Sequence, residues 1–131
     1  MKAHAHAVVW IDHHEARIFQ FNASETDHAT VHPHDRHAHL HHKANTVGSG
    51  HAPPDASYLR AVVDALAEAG AILIVGPASA RIELESYIAE HDRAMLGRVA
   101  AVQPMDRATD GEVVAHARTF FQANDRMRRT V

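Results

Sequence analysis

The sequence contains no cysteine. This absence excludes disulfide bonds, thiolate nucleophiles and cysteine-ligated zinc sites. The sequence also has no run of the roughly 18 apolar residues that a membrane-spanning helix needs. No signal-peptide pattern precedes the first apolar run, Val8-Val9-Trp10-Ile11. We therefore expect a cytoplasmic protein that makes no contact with a membrane.

The chain also has few aromatic residues and a small net charge. Aromatic residues make up 5% of the chain, and the formal net charge is −3 with histidine neutral. A balance so close to zero is not typical of a protein that coats nucleic acid by bulk charge. The 131 residues are 46% hydrophobic, which is enough for one core built from valine, isoleucine, leucine and alanine. We expect a single domain over residues 1–131.

Histidine, by contrast, is abundant. The chain has 14 histidines, and eight of them lie between His28 and His51. Imidazole is the commonest metal ligand in proteins, and it is the side chain whose charge changes near neutral pH. Residues 35–56 show no regular periodicity and contain Gly48-Ser49-Gly50. This composition predicts a long His/Gly-rich loop, and long loops of small domains commonly carry function.

Hydrophobic periodicity predicts the order β-β-β-α-β-α-β-α. The predicted strands are Val8–Ile11, Ala16–Phe21, about His28–His34, Ala71–Val75 and Val99–Val102. The first predicted helix begins at Asp55 or Ser57 and is capped at its end by Gly70. The second spans Ser79–His91, with Ile82, Leu84, Tyr87 and Ile88 facing inward. The third begins near Thr109 and is followed by a frayed basic tail over residues 124–131.

A three-stranded meander followed by two crossovers predicts an α/β fold with a mixed five-stranded sheet and helices on its faces. The fourth strand is apolar throughout, which is typical of a strand buried on both faces. This order is the one found in the ribonuclease H-like architecture.

Five segments of the chain resemble known families. The run Val8–Phe19 resembles the opening hairpin of the middle domain of eukaryotic and archaeal peptide-chain release factors and their Pelota relatives. Ile72–Arg81 resembles the strand-to-helix segment of that domain. The segments His39–Lys43, Gly48–His51 and Thr109–Phe121 resemble motifs of a small bacterial group described as release-factor-like or translational machinery proteins. The resemblance spans about residues 6–122 and implies a ribonuclease H-like (translational machinery component) fold.

The sequence departs from the family at its reactive motif. Release factors carry a Gly-Gly-Gln tripeptide in the long loop, where it helps water to attack peptidyl-tRNA. Here the loop has Gly48-Ser49-Gly50, and the glutamines of the chain are Gln20, Gln103 and Gln122. The resemblance therefore implies a non-enzymatic domain that contacts RNA or the ribosome.

The loop supplies the predicted RNA-binding residues. Histidine stacks on bases, cationic side chains meet phosphates, and glycine lets backbone N–H groups approach phosphates closely. The candidates are Arg36, His39, His41, His42, Lys43, Gly48, Ser49, Gly50 and His51.

The same loop allows a metal site as the alternative. In an extended chain, His37, His39 and His41 point to one side, and imidazole suits Zn²⁺, Ni²⁺ and Cu²⁺. His32, His34 or His51 could complete such a set. The competing interpretation is a set of solvated histidines that bind metal weakly, in which case the protein needs no cofactor.

Enzymatic alternatives rest on fewer residues. Asp12 ends the first strand, where ribonuclease H-like nucleases place a metal-binding aspartate, and Asp110 and Glu112 could complete a two-metal site. A turn aspartate and a helix N-terminus explain the same residues without catalysis. Ser79 follows a glycine turn that could hold an anion, or it caps the second helix. An exposed strand edge would also favour a homodimer.

Overall fold

A computed structural model describes residues 6–33 and 55–129. The strands are β1 (His6–Ile11), β2 (Ala16–Phe21), β3 (Thr26–Val31), β4 (Ala71–Gly76) and β5 (Val99–Pro104). The helices in these ranges are α1 (Ala56–Ala65), α2 (Ala80–His91), α3 (Arg93–Leu96) and α4 (Asp110–Arg129). None of these helices is long and apolar enough to cross a membrane.

The five strands form one sheet in the order β3-β2-β1-β4-β5. β1 and β2 pair antiparallel, as do β2 and β3, whereas β4 lies parallel to β1 and to β5. The predicted α/β class and mixed five-stranded sheet are confirmed. β1 and β4 occupy the centre and are buried on both faces, as the apolar run Ala71–Val75 predicts.

Two hydrophobic clusters cover the two faces of the sheet. Because side chains alternate along a strand, Val9 and Ile11 of β1 face one cluster, while Val8 and Trp10 face the other. Helices α1, α2 and α3 pack on the first face, and α4 packs on the second through its buried residues Val113, Ala117 and Phe121.

Side-chain caps begin two of the helices. Asp55 is the N-cap of α1, and its carboxylate accepts hydrogen bonds from the N–H groups of Ser57 and Tyr58. At the start of α4, Thr109 and Glu112 form a capping box: the Glu112 N–H donates to Oγ1 of Thr109, and the Thr109 N–H donates to Oε1 of Glu112. Both caps lie where the sequence pattern predicts a helix start.

Gly76 ends β4 where two backbones come unusually close. A Cβ atom at this position would lie 2.2 Å from the carbonyl oxygen of Ile11. Only glycine can occupy such a position without moving one of the strands. The glycine that the sequence suggests for an anion-binding turn is thus required by strand packing.

The structure corrects several predicted details. Ile82 does not face inward: it is 45% exposed, because it lies two residues, or about 200°, from the buried Leu84 around the helix. Gly70 is not the cap of α1, which ends at Ala65 with Leu66 as its C-cap. The third strand begins and ends earlier than predicted. Helix α3 was not predicted, and α4 continues through Arg129.

Candidate functional site

The predicted binding residues all fall outside the described part of the chain. This applies to the RNA-binding set Arg36, His39, His41, His42, Lys43, Gly48, Ser49, Gly50 and His51, and to the metal set His37, His39 and His41. The segment that holds them is bounded by Pro33 and Asp55, which the structure does describe. The positions of these two ends define where the segment is attached.

Both ends lie at one edge of the sheet, which we name the carboxyl edge. It consists of Asp12–Glu15 after β1, His32 and Pro33 after β3, Asp55–Tyr58 at the start of α1, Pro77–Ser79 after β4, and Met105–Asp110 after β5. The register supports this placement, because Ala16 pairs with Ile11 and also with Val31. The ends of β1 and β3 are therefore level with each other.

The β1–β2 turn contacts both ends of the segment. Its Asp12 carboxylate accepts hydrogen bonds from the N–H groups of His14 and Glu15 at 2.8 and 2.9 Å, which closes the turn. The Tyr58 hydroxyl donates to the Asp12 carbonyl oxygen at 2.8 Å. On the other side, Nε2 of His32 lies 3.8 Å from a carboxylate oxygen of Glu15. One turn thus holds the two points where the 34–54 segment leaves and returns.

The phenol of Tyr58 is held in its protonated form. Burial raises its pKa above the ordinary value, and the nearby carboxylates of Asp12, Glu15 and Asp55 raise it further. A protonated phenol can donate its O–H, which agrees with the contact to Asp12.

An arginine pair and a tryptophan form the inner part of the carboxyl edge. The Arg17 and Arg107 guanidinium groups lie 4.6 and 5.3 Å from the centroid of the Trp10 ring. Arg107 donates to Glu15 at 2.9 Å, and Arg17 lies 3.5 Å from the same carboxylate. The buried indole donates from Nε1 to the carbonyl oxygen of Asp106 at 3.2 Å. These contacts join the β1–β2 hairpin to the connection between β5 and α4.

Arg17 also reaches the start of α4. It donates to Oδ1 of Asp110 at 2.6 Å and to the carbonyl oxygen of Ala108 at 2.9 Å. Asp110 in turn lies 3.9 Å from Nε2 of His28 on β3. The sequence interpretation missed Arg17, since nothing in the pattern Ala-Arg-Ile-Phe indicates a partner 93 residues away.

The acidic residues of the nuclease hypothesis hold structural positions. Asp12 closes the β1–β2 turn, Asp110 pairs with Arg17, and Glu112 belongs to the capping box. Among the described residues, no group of three or more histidine, aspartate or glutamate side chains is arranged to hold a metal ion.

Ser79 and several histidine and arginine side chains also have observed partners. Ser79 is the N-cap of α2, but its hydroxyl makes no cap hydrogen bond and lies 3.3 Å from Glu83. His13 contacts the same carboxylate at 3.0 Å. His116 lies 2.9 Å from the side-chain oxygen of Gln103. Arg118 donates to the carbonyl oxygen of Asn22 at 3.1 Å.

No protein-family model matches the chain, and no curated protein matches it by sequence. Solved structures do resemble it. The Pelota protein of Thermoplasma acidophilum matches with a TM-score of 0.58 and 25% identity, covering 86% of this chain and 31% of Pelota. An archaeal translation termination factor, aRF1, matches with a TM-score of 0.45 and 14% identity, covering 95% of this chain and 39% of that protein.

The similarity to Pelota confirms the release-factor-like fold that the sequence motifs predict. The chain spans about a third of the length of that structural neighbour, so the likeness concerns one region of a larger protein.

Proposed function

We propose that this chain is a non-enzymatic, release-factor-like domain that contacts RNA, as ribosomal or transfer RNA, through its 34–54 segment. The observation that carries the proposal is the similarity to Pelota over 86% of the chain. The contact residues in this proposal are Arg36, His39, His41, His42, Lys43, Gly48, Ser49, Gly50 and His51. The finer placement in the ribonuclease H-like class and in a bacterial release-factor-like group belongs to the same proposal.

The attachment of the segment supports this assignment. In open α/β sheets, ligands bind outside the carboxyl ends of the strands. The ends of the segment, at Pro33 and Asp55, lie at this edge of the sheet beside the β1–β2 turn. The described ends of the segment therefore lie at the part of an α/β fold where ligands usually bind.

The charge of the carboxyl edge indicates which part of the chain would have to supply the cations that meet RNA phosphates. Seven carboxylates lie at or beside it, those of Asp12, Glu15, Asp55, Glu83, Asp106, Asp110 and Glu112. Fewer guanidinium groups are present there, and Arg17 and Arg107 are already paired with carboxylates. Phosphates therefore gain little from this edge itself. The cations have to come from Arg36, Lys43 and the histidines of the segment.

Peptidyl-tRNA hydrolysis by the Gly-Gly-Gln route is not part of the proposal. Gln20 donates to the carbonyl oxygen of Ala65 inside the fold, and Gln103 contacts His116. Gln122 lies on α4. None of the three belongs to the 34–54 segment, so the amide that this chemistry uses is missing from it.

Co-sedimentation with ribosomes tests the proposal. Untagged protein is spun with ribosomes at physiological salt in the presence of a chelator. We expect the wild type to pellet with ribosomes and a triple variant, His41→Ala, His42→Ala and Lys43→Ala, to pellet at least several-fold less. A triple variant on exposed positions elsewhere, Arg93→Ala, His116→Ala and Thr119→Ala, likewise removes one formal positive charge and should pellet like the wild type. Wild-type protein that stays in the supernatant would contradict the proposal.

The alternating spacing of His37, His39 and His41 favours metal binding as a second candidate function. Imidazoles on one side of an extended chain suit Zn²⁺ or Ni²⁺. Protein purified without an affinity tag should then carry stoichiometric metal that the substitution His39→Ala removes. A metal content far below one ion per chain would count against this candidate.

A further inference from the structure

We propose that this chain forms a homodimer in which the β3 strands of two copies pair antiparallel and join the two five-stranded sheets into one. Among the residues that the structure describes, β3 has a neighbouring strand on one side only, because it ends the order β3-β2-β1-β4-β5. The outer N–H and C=O groups of such an edge strand can pair with another strand. The inference goes beyond RNA contact through the 34–54 segment and does not depend on it.

The two edges of the sheet differ in how open they are to pairing. β5, at the opposite edge, ends in Pro104, which has no N–H to donate, and its pairing with β4 is irregular between Ile72 and Leu73. Proteins commonly protect edge strands with prolines and bulges of this kind. β3 contains no proline, and its pairing with β2 is regular over all six residues. The open edge is therefore β3.

The hydrogen bonds of the sheet identify which residues of β3 point their backbone groups outward. In an antiparallel pair, residues that exchange hydrogen bonds alternate with residues that do not. The Asn22 N–H donates to the carbonyl oxygen of Glu25 at 3.1 Å at the start of the β2–β3 hairpin. The alternation then assigns the positions that bond to β2 to Asp27, Ala29 and Val31. The positions whose N–H and C=O groups point away from β2 are Thr26, His28 and Thr30.

Contacts from α4 and β2 hold this edge in place. Arg118 of α4 donates to the Thr26 hydroxyl at 3.0 Å, and Nε2 of His28 lies 3.9 Å from Asp110 at the start of the same helix. The His28 ring also stacks on that of Phe19, with centroids 4.9 Å apart. An edge that is already ordered loses little conformational freedom when a second strand pairs with it.

The residues of β3 match a second copy of the strand best around Ala29. With the twofold axis there, His28 of each copy pairs with Thr30 of the other, which gives about four backbone hydrogen bonds. The two Ala29 residues face each other with Cα atoms about 4.5 Å apart, where a small exposed side chain fits. Asp27 lies opposite Val31 and not opposite another carboxylate. An axis at His28 or Thr30 would instead place two histidines opposite each other, which is unfavourable when they are protonated.

The helix above β3 leaves room for the second copy. α1 contacts β2 and β3 on one face of the sheet, so the twofold axis brings the α1 helices of the two copies side by side. Ala56 and Leu59 lie on the side of α1 that faces α2. Because each residue turns a helix by about 100°, the opposite side carries Ala61 and Ala65, both partly exposed. These small residues allow the two helices to approach closely.

Sedimentation of the untagged chain tests the proposal, with a chelator present so that histidines do not bridge two copies through a metal ion. We expect a reversible monomer–dimer equilibrium between micromolar and near-millimolar concentrations. Ala29→Lys places two like charges opposite each other and should weaken dimerisation roughly tenfold. The thermal stability of the dilute variant should not change, because the side chain is exposed. Ala100→Lys, on the exposed part of β5, is the matched control and should dimerise like the wild type.

Disulfide cross-linking tests the register. The chain contains no cysteine, so Ala29→Cys carries a single thiol, and the two copies of this position should lie within the roughly 7 Å between Cα atoms that a disulfide can span. Asp27→Cys is the matched control, because its two Cα atoms would lie about 14 Å apart along the ladder. We expect mild oxidation to cross-link Ala29→Cys and to leave Asp27→Cys largely monomeric.

Three results would overturn the proposal. The first is a wild-type chain that stays monomeric at the highest concentration. The second is a dimer that survives Ala29→Lys, or one that Ala100→Lys dissociates equally well. The third is equal cross-linking of the two cysteine variants, which would indicate random collisions or another interface.

Discussion

Arg17 of β2 donates to Asp110, the first residue of α4, at 2.6 Å. The Arg17 side chain is 11% exposed, whereas that of Asp110 is 51% exposed. The same guanidinium donates to the carbonyl oxygen of Ala108. These contacts fix α4 to the β1–β2 hairpin, although Arg17 and Asp110 are 93 residues apart in the sequence.

The first prediction concerns the energetic value of Arg17. Arg17→Met keeps the packing of the aliphatic stem against Trp10 but leaves two acceptors without their donor. We expect a loss of about 1 kcal/mol in the free energy of unfolding, because a hydrogen bond contributes roughly 0.5–1.5 kcal/mol net and water can replace Arg17 at the half-exposed carboxylate of Asp110. Chemical denaturation measures the change. Arg60→Met, which removes an exposed pair with Asp64 in one helix, is the matched control and should leave the denaturation midpoint unchanged.

The second prediction compares Gly76, where there is no room for a side chain, with Gly111, where there is. Gly76→Ala places a methyl group 2.2 Å from the Ile11 carbonyl oxygen, which forces β1 and β4 apart and should cost about 3 kcal/mol. Gly111, in the first turn of α4, has no atom within 4 Å of the same added group. Gly111→Ala should therefore stabilise the protein by roughly 0.5 kcal/mol. Equal effects of the two substitutions on thermal unfolding would contradict this account.

The third prediction concerns the anchor of the 34–54 segment. Tyr58→Phe removes only the hydroxyl that donates to the Asp12 carbonyl oxygen. We expect a loss of about 1 kcal/mol in stability and faster hydrogen exchange at the amide of Glu15, because the β1–β2 turn loses its tie to α1. Tyr87→Phe removes a hydroxyl that contacts Arg60 and not the β1–β2 turn, so as the control it should leave exchange at the Glu15 amide unchanged. Unchanged exchange in Tyr58→Phe would show that the turn is held by other contacts.

The fourth prediction concerns pH. Burial lowers the pKa of His6, with Asp125 opposing and Arg118 adding to the effect. The folded state thus binds fewer protons than the unfolded state as the pH falls below about 6.5, so His6 makes folding less favourable in acid. His6→Phe keeps a ring against Phe121, which lies 4.3 Å away, and cannot take up a proton. Relative to the wild type, the variant should gain melting temperature on going from about pH 7.5 to 5.5. A constant difference would contradict the assignment.

Local sequence patterns predict the strands and helix ends that are determined by residues close together in the chain. The apolar run Ala71–Val75 predicts the buried central strand, and the spacing of Thr109 and Glu112 predicts the start of the last helix. Ile82 was assigned to the core because α2 carries apolar residues on more than one side, so periodicity alone does not select its buried face. The short helix α3 is four residues long, too short for a periodic signal.

The network at the carboxyl edge could not be predicted from the sequence. Arg17 meets Asp110 and Tyr58 meets Asp12 across separations of 93 and 46 residues. Such pairs depend on the strand order β3-β2-β1-β4-β5, which brings the ends of β1, β4 and β5 to one edge. The binding role of the His/Gly-rich segment rests on its composition and on the family resemblance, and it stays a prediction.

Photo-cross-linking of the intact chain to ribosomes tests that role most directly. A photoreactive amino acid is placed at position 43 in one protein and, as the control, at position 100 on the exposed part of β5. Our account predicts RNA cross-links from position 43 and none above background from position 100. Cross-links of equal yield from both positions, or none from position 43 on ribosomes that retain the protein, would contradict RNA recognition by the 34–54 segment.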